Sequence, residues 1–257
     1  GHAIHAAWKT AAIELKDTFI TFNLTDCGST GKVTGNINAW DSVDEGSGVV
    51  IGARATFNLY NGSICDLSLD AYQNDLLAGA VEANGTFNMY GGSIKNNQGT
   101  GWVGAESNYI GGVLVNSTGA FNLYDGELSG NRSAHDNRAS GTFNGGAVYV
   151  NGGKFTMTGG EITGNTQVGV DAGATSEGST SPHAAGGTLI VGGTAKIQNN
   201  GVNNWGNVFL DAGEIKLAST AFEEGAYIGI TTPYSSPPTA EKPITIVAGK
   251  WGQSDVS

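Results

Sequence analysis

The chain has 257 residues, with 12 Lys and Arg against 23 Asp and Glu, a formal charge of −11. That acidic balance argues against nucleic-acid binding, which needs a basic face, and no apolar run is long enough to cross a membrane as a helix. Only 14% of residues are charged, and 42 Gly stand against five Pro, a composition of many tight corners around a core rather than of disorder.

Residues 3–20 mix Ala-rich and strand-like segments and are expected to form a first, irregular coil. A repeat then begins. Phe57-Asn58-Leu59-Tyr60-Asn61-Gly62, Phe87-Asn88-Met89-Tyr90-Gly91-Gly92 and Phe121-Asn122-Leu123-Tyr124-Asp125-Gly126 are near copies, with weaker copies at Phe22–Cys27 and Phe155–Gly160. Successive Phe residues are 35, 30, 34 and 34 positions apart. A period of that length is one supersecondary unit that cannot bury its apolar face alone, so the chain is read as a stack.

Within the clearest unit, 145–165, three short runs stand out: 147–150, 154–157 and 161–163. Each is too short for a helix and rich in strand formers. Phe155 and Met157 alternate with Lys154, Thr156 and Thr158, which puts the first pair inside and the others outside. Three strands and three corners per ~34 residues describe one coil of a parallel β-helix. Coils then pair in parallel ~4.8 Å apart, with a right-handed crossover expected. Phe should stack on Phe inside, Asn58 on Asn88 on Asn122 outside, and Tyr60, Tyr90 and Tyr124 should form a second outer file. Corners are expected at Gly35-Asn36, Asn96-Asn97, Gly130-Asn131 and Gly164-Asn165, with Cys65-Asp66 the exception; Asn tolerates a left-handed backbone and can bond along the axis.

From Gly193 the repeat decays. Residues 194–197 imitate the second strand of a coil, and runs at 208–210, 214–217, 226–230 and 243–247 read as closing strands. Terminal units of a solenoid are atypical because they cover an open core. The fold class is therefore all-β, a right-handed parallel β-helix with three short strands per coil, an irregular N-terminal coil and a non-repeat β cap. Residues 1–205 form the repeats with lateral loops, and 206–257 a closing segment on the same domain. Residues 232–243, with four Pro, read as an extended loop. Cys27 and Cys65 do not align, so a disulfide is permitted but not implied. No signal peptide is recognised, and a start in mid-coil points to part of a larger chain.

The segments Gly145–Asn165 and Phe87–Asn97 resemble the right-handed parallel β-helix repeats of large secreted surface proteins of gut Firmicutes and related bacteria, within the pectate-lyase-like superfamily, and 207–231 with 244–249 looks like the segment that often follows such repeats. The resemblance covers roughly residues 20–250. It implies a secreted or wall-attached, extracellular protein that meets glycans or host-surface glycoproteins. Enzymes of related fold include polygalacturonases, pectate lyases and lacto-N-biosidases. The Asp-Asp pair, Gly-His-Gly and Arg-x-Lys of the first do not occur here, no basic cluster suits the second, and no carboxylate pair aligns with the third. Fold alone does not assign activity.

Function is expected where the coils differ. Insertions at 37–47, 66–77, 98–110, 132–144 and 166–185 follow the Asn corners and are expected to project from one wall. Trp40 and Trp102, then Tyr72 and Tyr109, offer flat apolar faces to a sugar ring, with His135 and Arg138 as polar partners; the same rings would equally pin their own loops. Asp136, Asp171 and Glu106 sit on adjacent insertions, and carboxylates ~5–10 Å apart suit a glycosidase, with His135 able to assist proton transfer. Solvated loop charges explain the same residues. His135, His183 and Asp171 lack diagnostic metal spacing, no metal site or cofactor is expected, and Ca²⁺ has only the acidic balance in its favour, with no Gly-Gly-x-Gly-x-Asp repeat. Three readings follow: a glycan-binding, adhesin-like module, a glycan-cleaving enzyme, and a passive stalk.

Overall fold

The computed structural model describes residues 3–6, 11–26, 30–39, 47–71, 77–101, 109–133, 145–166, 168–171, 186–201, 206–209 and 214–231. Every regular element among them is a β-strand, and every ladder is parallel. Three long sheets wind as a β-solenoid of the right-handed type. In the order a coil visits them, the first sheet has eight strands from Ile13–Leu15 to Ile230–Thr231, and the second has seven from Thr21–Leu24 to Glu214–Phe222. The third runs from Ala3–Ala6 to Tyr227–Ile228.

The second sheet follows directly from the Phe-x-Leu/Met pattern. Phe22, Phe57, Phe87, Phe121 and Phe155 lie opposite one another with no register shift. The last four are fully buried. Ring centroids are 4.7 Å apart for Phe87–Phe121 and Phe121–Phe155, stacked within 8°, while Phe57 meets Phe87 edge-on at 66°. Each such ring stabilises the stack by roughly 1.5–3 kcal/mol through removal from water. Beyond Phe155 the spine continues as Leu189 and then Ile215.

That continuation corrects one expectation. The second-sheet strand of this coil is Thr188–Gly193; residues 194–197 do not imitate it, because Lys196–Gln198 pairs with Glu161–Thr163 in the third sheet. Thr194-Ala195-Lys196-Ile197 has the right alternation, but Leu189 and Val191 already fill the Phe and Met positions. The pairing then continues through Thr231, with one register shift between Val191 and Gly193; the remainder of the closing segment, 232–257, lies outside the described residues.

The corner after the third sheet is held by an amide ladder. Asn97, Asn131, Asn165 and Asn200 are buried one above another. The Asn131 Oδ1 accepts from both the backbone N–H and the Nδ2 of Asn97, at 3.1 and 2.9 Å. Its own Nδ2 donates to the Ile94 carbonyl and to Asn165 Oδ1, at 2.9 and 3.0 Å. The pattern repeats through Asn165 and Asn200 to Asn207. The preceding residue turns the chain at positive φ: Asp66 55°, Asn96 57°, Gly130 62°, Gly164 63° and Asn199 56°. Only Gly, Asn and Asp adopt that conformation readily, which explains the residue choice.

Two corners depart from the expected pattern. Asp66, not Cys65, is the turning residue of its coil, and Leu67 takes the ladder position, its N–H donating to Asn97 Oδ1. One coil earlier the register slips between Val33 and Gly35, so Gly35 opposes Leu67 and Asn36 opposes Ser68. Gly35-Asn36 is thus displaced by one position from the ladder. Cys65 is a free, buried thiol opposite Lys95, and Cys27 lies outside the described residues.

Candidate functional site

After the Asn corner the chain does not leave the solenoid at once. It adds an outgoing strand, at 36–39, 67–71, 98–101 and 132–133 in successive coils. These are in mutual register: Ala39 pairs with Ala71, Ala71 with Gly101, and Gln98-Gly99 with Arg132-Ser133. The pairing continues that of the third sheet, so the bases of four insertions stand in register. Trp40, Tyr72 and Trp102 are the residues that immediately follow Ala39, Ala71 and Gly101. Aromatic residues thus occupy one equivalent sequence position in three successive coils. Counting from the Gln98–Arg132 pair, the equivalent position of the next coil is Asp136.

Trp40, Tyr72, Trp102, Glu106, His135, Asp136, Arg138 and His183 themselves lie outside the described residues. Tyr109 lies on the strand Tyr109–Ile110, which pairs with Leu77–Ala78. Asp171 ends the first-sheet strand Val168–Asp171, opposite Tyr149 and Phe209.

The fifth insertion differs from the other four. Val168–Asp171 follows the Asn165 corner after two residues and joins the first sheet. Residues 172–185 therefore fall between the first and second sheets, not between the third and first. The expectation of five insertions at one point of the coil holds for four. The cause is legible in Val168-Gly169-Val170, an alternating run that competes for the first-sheet position.

The outer face of the first sheet is not bare. Leu114 and Tyr149 point away from the main core yet are buried, and with Ala78 and Ile110 they form a second apolar cluster. The pair of short strands Leu77–Ala78 and Tyr109–Ile110 supplies that outer layer. Glu82 stands in the same outward file, between Val50 and Leu114. Its Oε1 accepts from Asn84 Nδ2 at 3.1 Å and Asn116 Nδ2 at 3.2 Å. Asn116 in turn donates to Asn84, and Asn151 to Asn116. Burial pushes the Glu82 carboxyl above the usual range, and the two amide donors only partly oppose this. The sequence signal was a Glu between two apolar residues of its file, Val50 and Leu114, visible only once the register is known; the file also holds Glu14 at its start and Asp171 beyond Tyr149.

Other polar groups have structural partners. Asp66 accepts from Asn96, and Asp70 sits opposite Thr100, whose hydroxyl reaches the Leu69 carbonyl at 2.7 Å. Arg132 donates to Gln98 of the coil below. Among the described residues no cluster of three His, Cys, Asp or Glu is placed to hold a metal ion, and no helix is long and apolar enough to cross a membrane.

Burial is the largest influence on Cys65, pushing its thiol up to about 11, with the neighbouring Asp66 adding to the effect. Both effects disfavour the thiolate, the nucleophilic form, near neutral pH.

The structure defines the class of protein as a parallel β-solenoid with an amide-laddered corner. Comparison with protein-family models, with curated proteins and with solved structures returned no match.

Proposed function

We propose that the chain is an extracellular, surface-displayed β-helix module that binds glycan through the lateral wall of its inter-coil loops. The observation that carries this reading is the sequence position shared by Trp40, Tyr72 and Trp102, each one step beyond a register-matched strand end. A rigid ladder that sets the roots of three aromatic residues at coil spacing suits recognition of a polymer of rings. The resemblance to β-helix repeats of large secreted bacterial surface proteins supports display outside the cell as part of a longer chain.

A glycan array with the wild type, Trp40→Ala, Tyr72→Ala and Trp102→Ala tests it. Binding lost in these variants, with unchanged circular dichroism, supports the reading; an array silent for the wild type refutes it and leaves the stalk.

A second reading has its own observation. The Glu82 carboxyl, hydrogen-bonded to Asn84 and Asn116, is pushed up by burial, the direction a glycosidase general acid needs, and Asp136, Asp171 and Glu106 are the carboxylates of the insertions. Mass spectrometry of the same glycans decides it: cleavage abolished by Glu82→Gln or Asp136→Asn assigns an enzyme, and uncleaved glycans exclude one for the sugars tried.

A further inference from the structure

The second sheet presents a different surface, on the side of the coil away from the Asn corner loops. Its outward positions alternate with the Phe spine, and the register does not shift from Thr21–Leu24 through Lys154–Met157. Two files run up it without a charged side chain. In one, Asn58, Asn88 and Asn122 each donate an Nδ2 hydrogen to the Asn Oδ1 of the coil below, all at 2.8 Å. Each amide carries two hydrogens, so the ladder leaves one per coil unused by itself.

In the other file, Tyr60, Tyr90 and Tyr124 stack at 5.0 and 4.9 Å within 12°. They remain 42–44% exposed. Their ring faces cover one another, so the solvent meets ring edges and phenol groups. Burial in the stack, then Tyr124 and Tyr60 themselves, push the Tyr90 phenol up. In the bend just before Thr21–Leu24, Phe19 is 92% exposed, with Arg54 over one ring face.

We infer that this Asn–Tyr face is a second binding surface, a track for a neutral, linear, β-linked polysaccharide lying along the solenoid axis with one sugar per coil. Within the three coils of the track the Asn and Tyr files carry no charged side chain, Lys154 joining the face only in the coil above, so the track itself favours a neutral ligand over an acidic or basic one. The track repeats every 4.9–5.0 Å, and an extended β-1,4-linked hexose polymer advances by close to that distance per sugar. Successive sugars of such a chain are turned by about a half rotation, so the amide and phenol of successive coils meet the two hydroxyl edges of the chain alternately. The surface is separate from the corner loops, and its occupancy does not depend on them.

The test is sedimentation with microcrystalline cellulose and with chitin, and calorimetry with cellobiose, cellotriose and cellopentaose. The wild type should bind one of the two polymers, tighten from two to five sugars, and be indifferent to NaCl. Tyr90→Ala should weaken binding at least tenfold and Tyr90→Phe less, each with an unchanged thermal melt. Retention of that binding in Trp40→Ala/Trp102→Ala separates this face from the loop wall. No binding to either polymer, or equal binding by Tyr90→Ala, overturns the inference whatever the loops do. Concentration-dependent dimerisation abolished by Tyr90→Ala would assign the face to a second copy and overturn it as well.

Discussion

Replacing Asn131 by Leu asks how much the buried amide ladder contributes. The substitution keeps the volume close, and Leu67 shows that a Leu fits this corner two coils below. What changes is hydrogen bonding. Asn97 loses the acceptor of its backbone N–H and the forward acceptor of its Nδ2, and the Ile94 carbonyl loses a donor. Asn165 Oδ1 still accepts from the residue-131 backbone N–H. Two buried donors left without acceptors, at about 1–3 kcal/mol each, predict a loss of about 2–6 kcal/mol. Asn122→Ala is the matched control. It removes one 2.8 Å amide–amide bond on the outer face, where water replaces the partner, and should cost about 0.5–1.5 kcal/mol. Urea titration followed by far-UV circular dichroism gives both values, and amide exchange at Asn97 should accelerate only in the Leu variant. An Asn131→Leu protein within 0.5 kcal/mol of wild type, or no weaker than Asn122→Ala, would refute the view that corner amides hold the coils together.

Phe121→Ala removes a ring stacked on both sides and should cost about 3–5 kcal/mol. Phe121→Leu should cost much less, since Leu189 fills the same file two coils above; thermal melts of the pair check this. Glu82→Gln should stabilise the protein at pH 8 and do little in acid. A carboxyl whose folded pKa is raised contributes stability that is complete below its unfolded pKa and is lost as pH rises through the folded pKa. The urea midpoint of wild type should therefore fall between acid and neutral pH relative to the Gln variant. Cys65, buried and with its thiol pushed up to about 11, should resist an aromatic disulfide reagent at pH 7.5 and react once urea is added. Rapid labelling of the native Cys27→Ser protein would contradict its burial.

The stack was readable because its strongest signals are local and repeated. Phe every 30–35 residues, with Leu or Met two positions on, fixes the second sheet without any long-range information. What escaped was whatever depends on where equivalent residues fall between repeats. The slip at Val33/Gly35 cannot be seen in Gly35-Asn36 itself, which imitates a corner dipeptide. Leu67 at a ladder position, and 194–197 placed in the third sheet, are choices between runs of similar pattern, decided by which residues fill the shared core. The site was less legible still. Trp40, Tyr72 and Trp102 stand out as loop aromatics, but their equivalence emerges only from the Ala39–Ala71–Gly101 register. Glu82 looks like an ordinary strand residue until Leu77–Ala78 and Tyr109–Ile110 are seen to build an outer layer over its sheet.

The buried corner amides have a consequence for how such a rod changes length. Each one receives from the coil before and gives to the coil after, so every interior coil presents the same two ends to its neighbours. Duplicating or deleting one whole interior unit, such as 98–131, leaves every corner-amide donor matched and every spine Phe facing another large apolar side chain. The rod can be lengthened or shortened one coil at a time without redesigning its interior, while insertions at the corner are free to diversify.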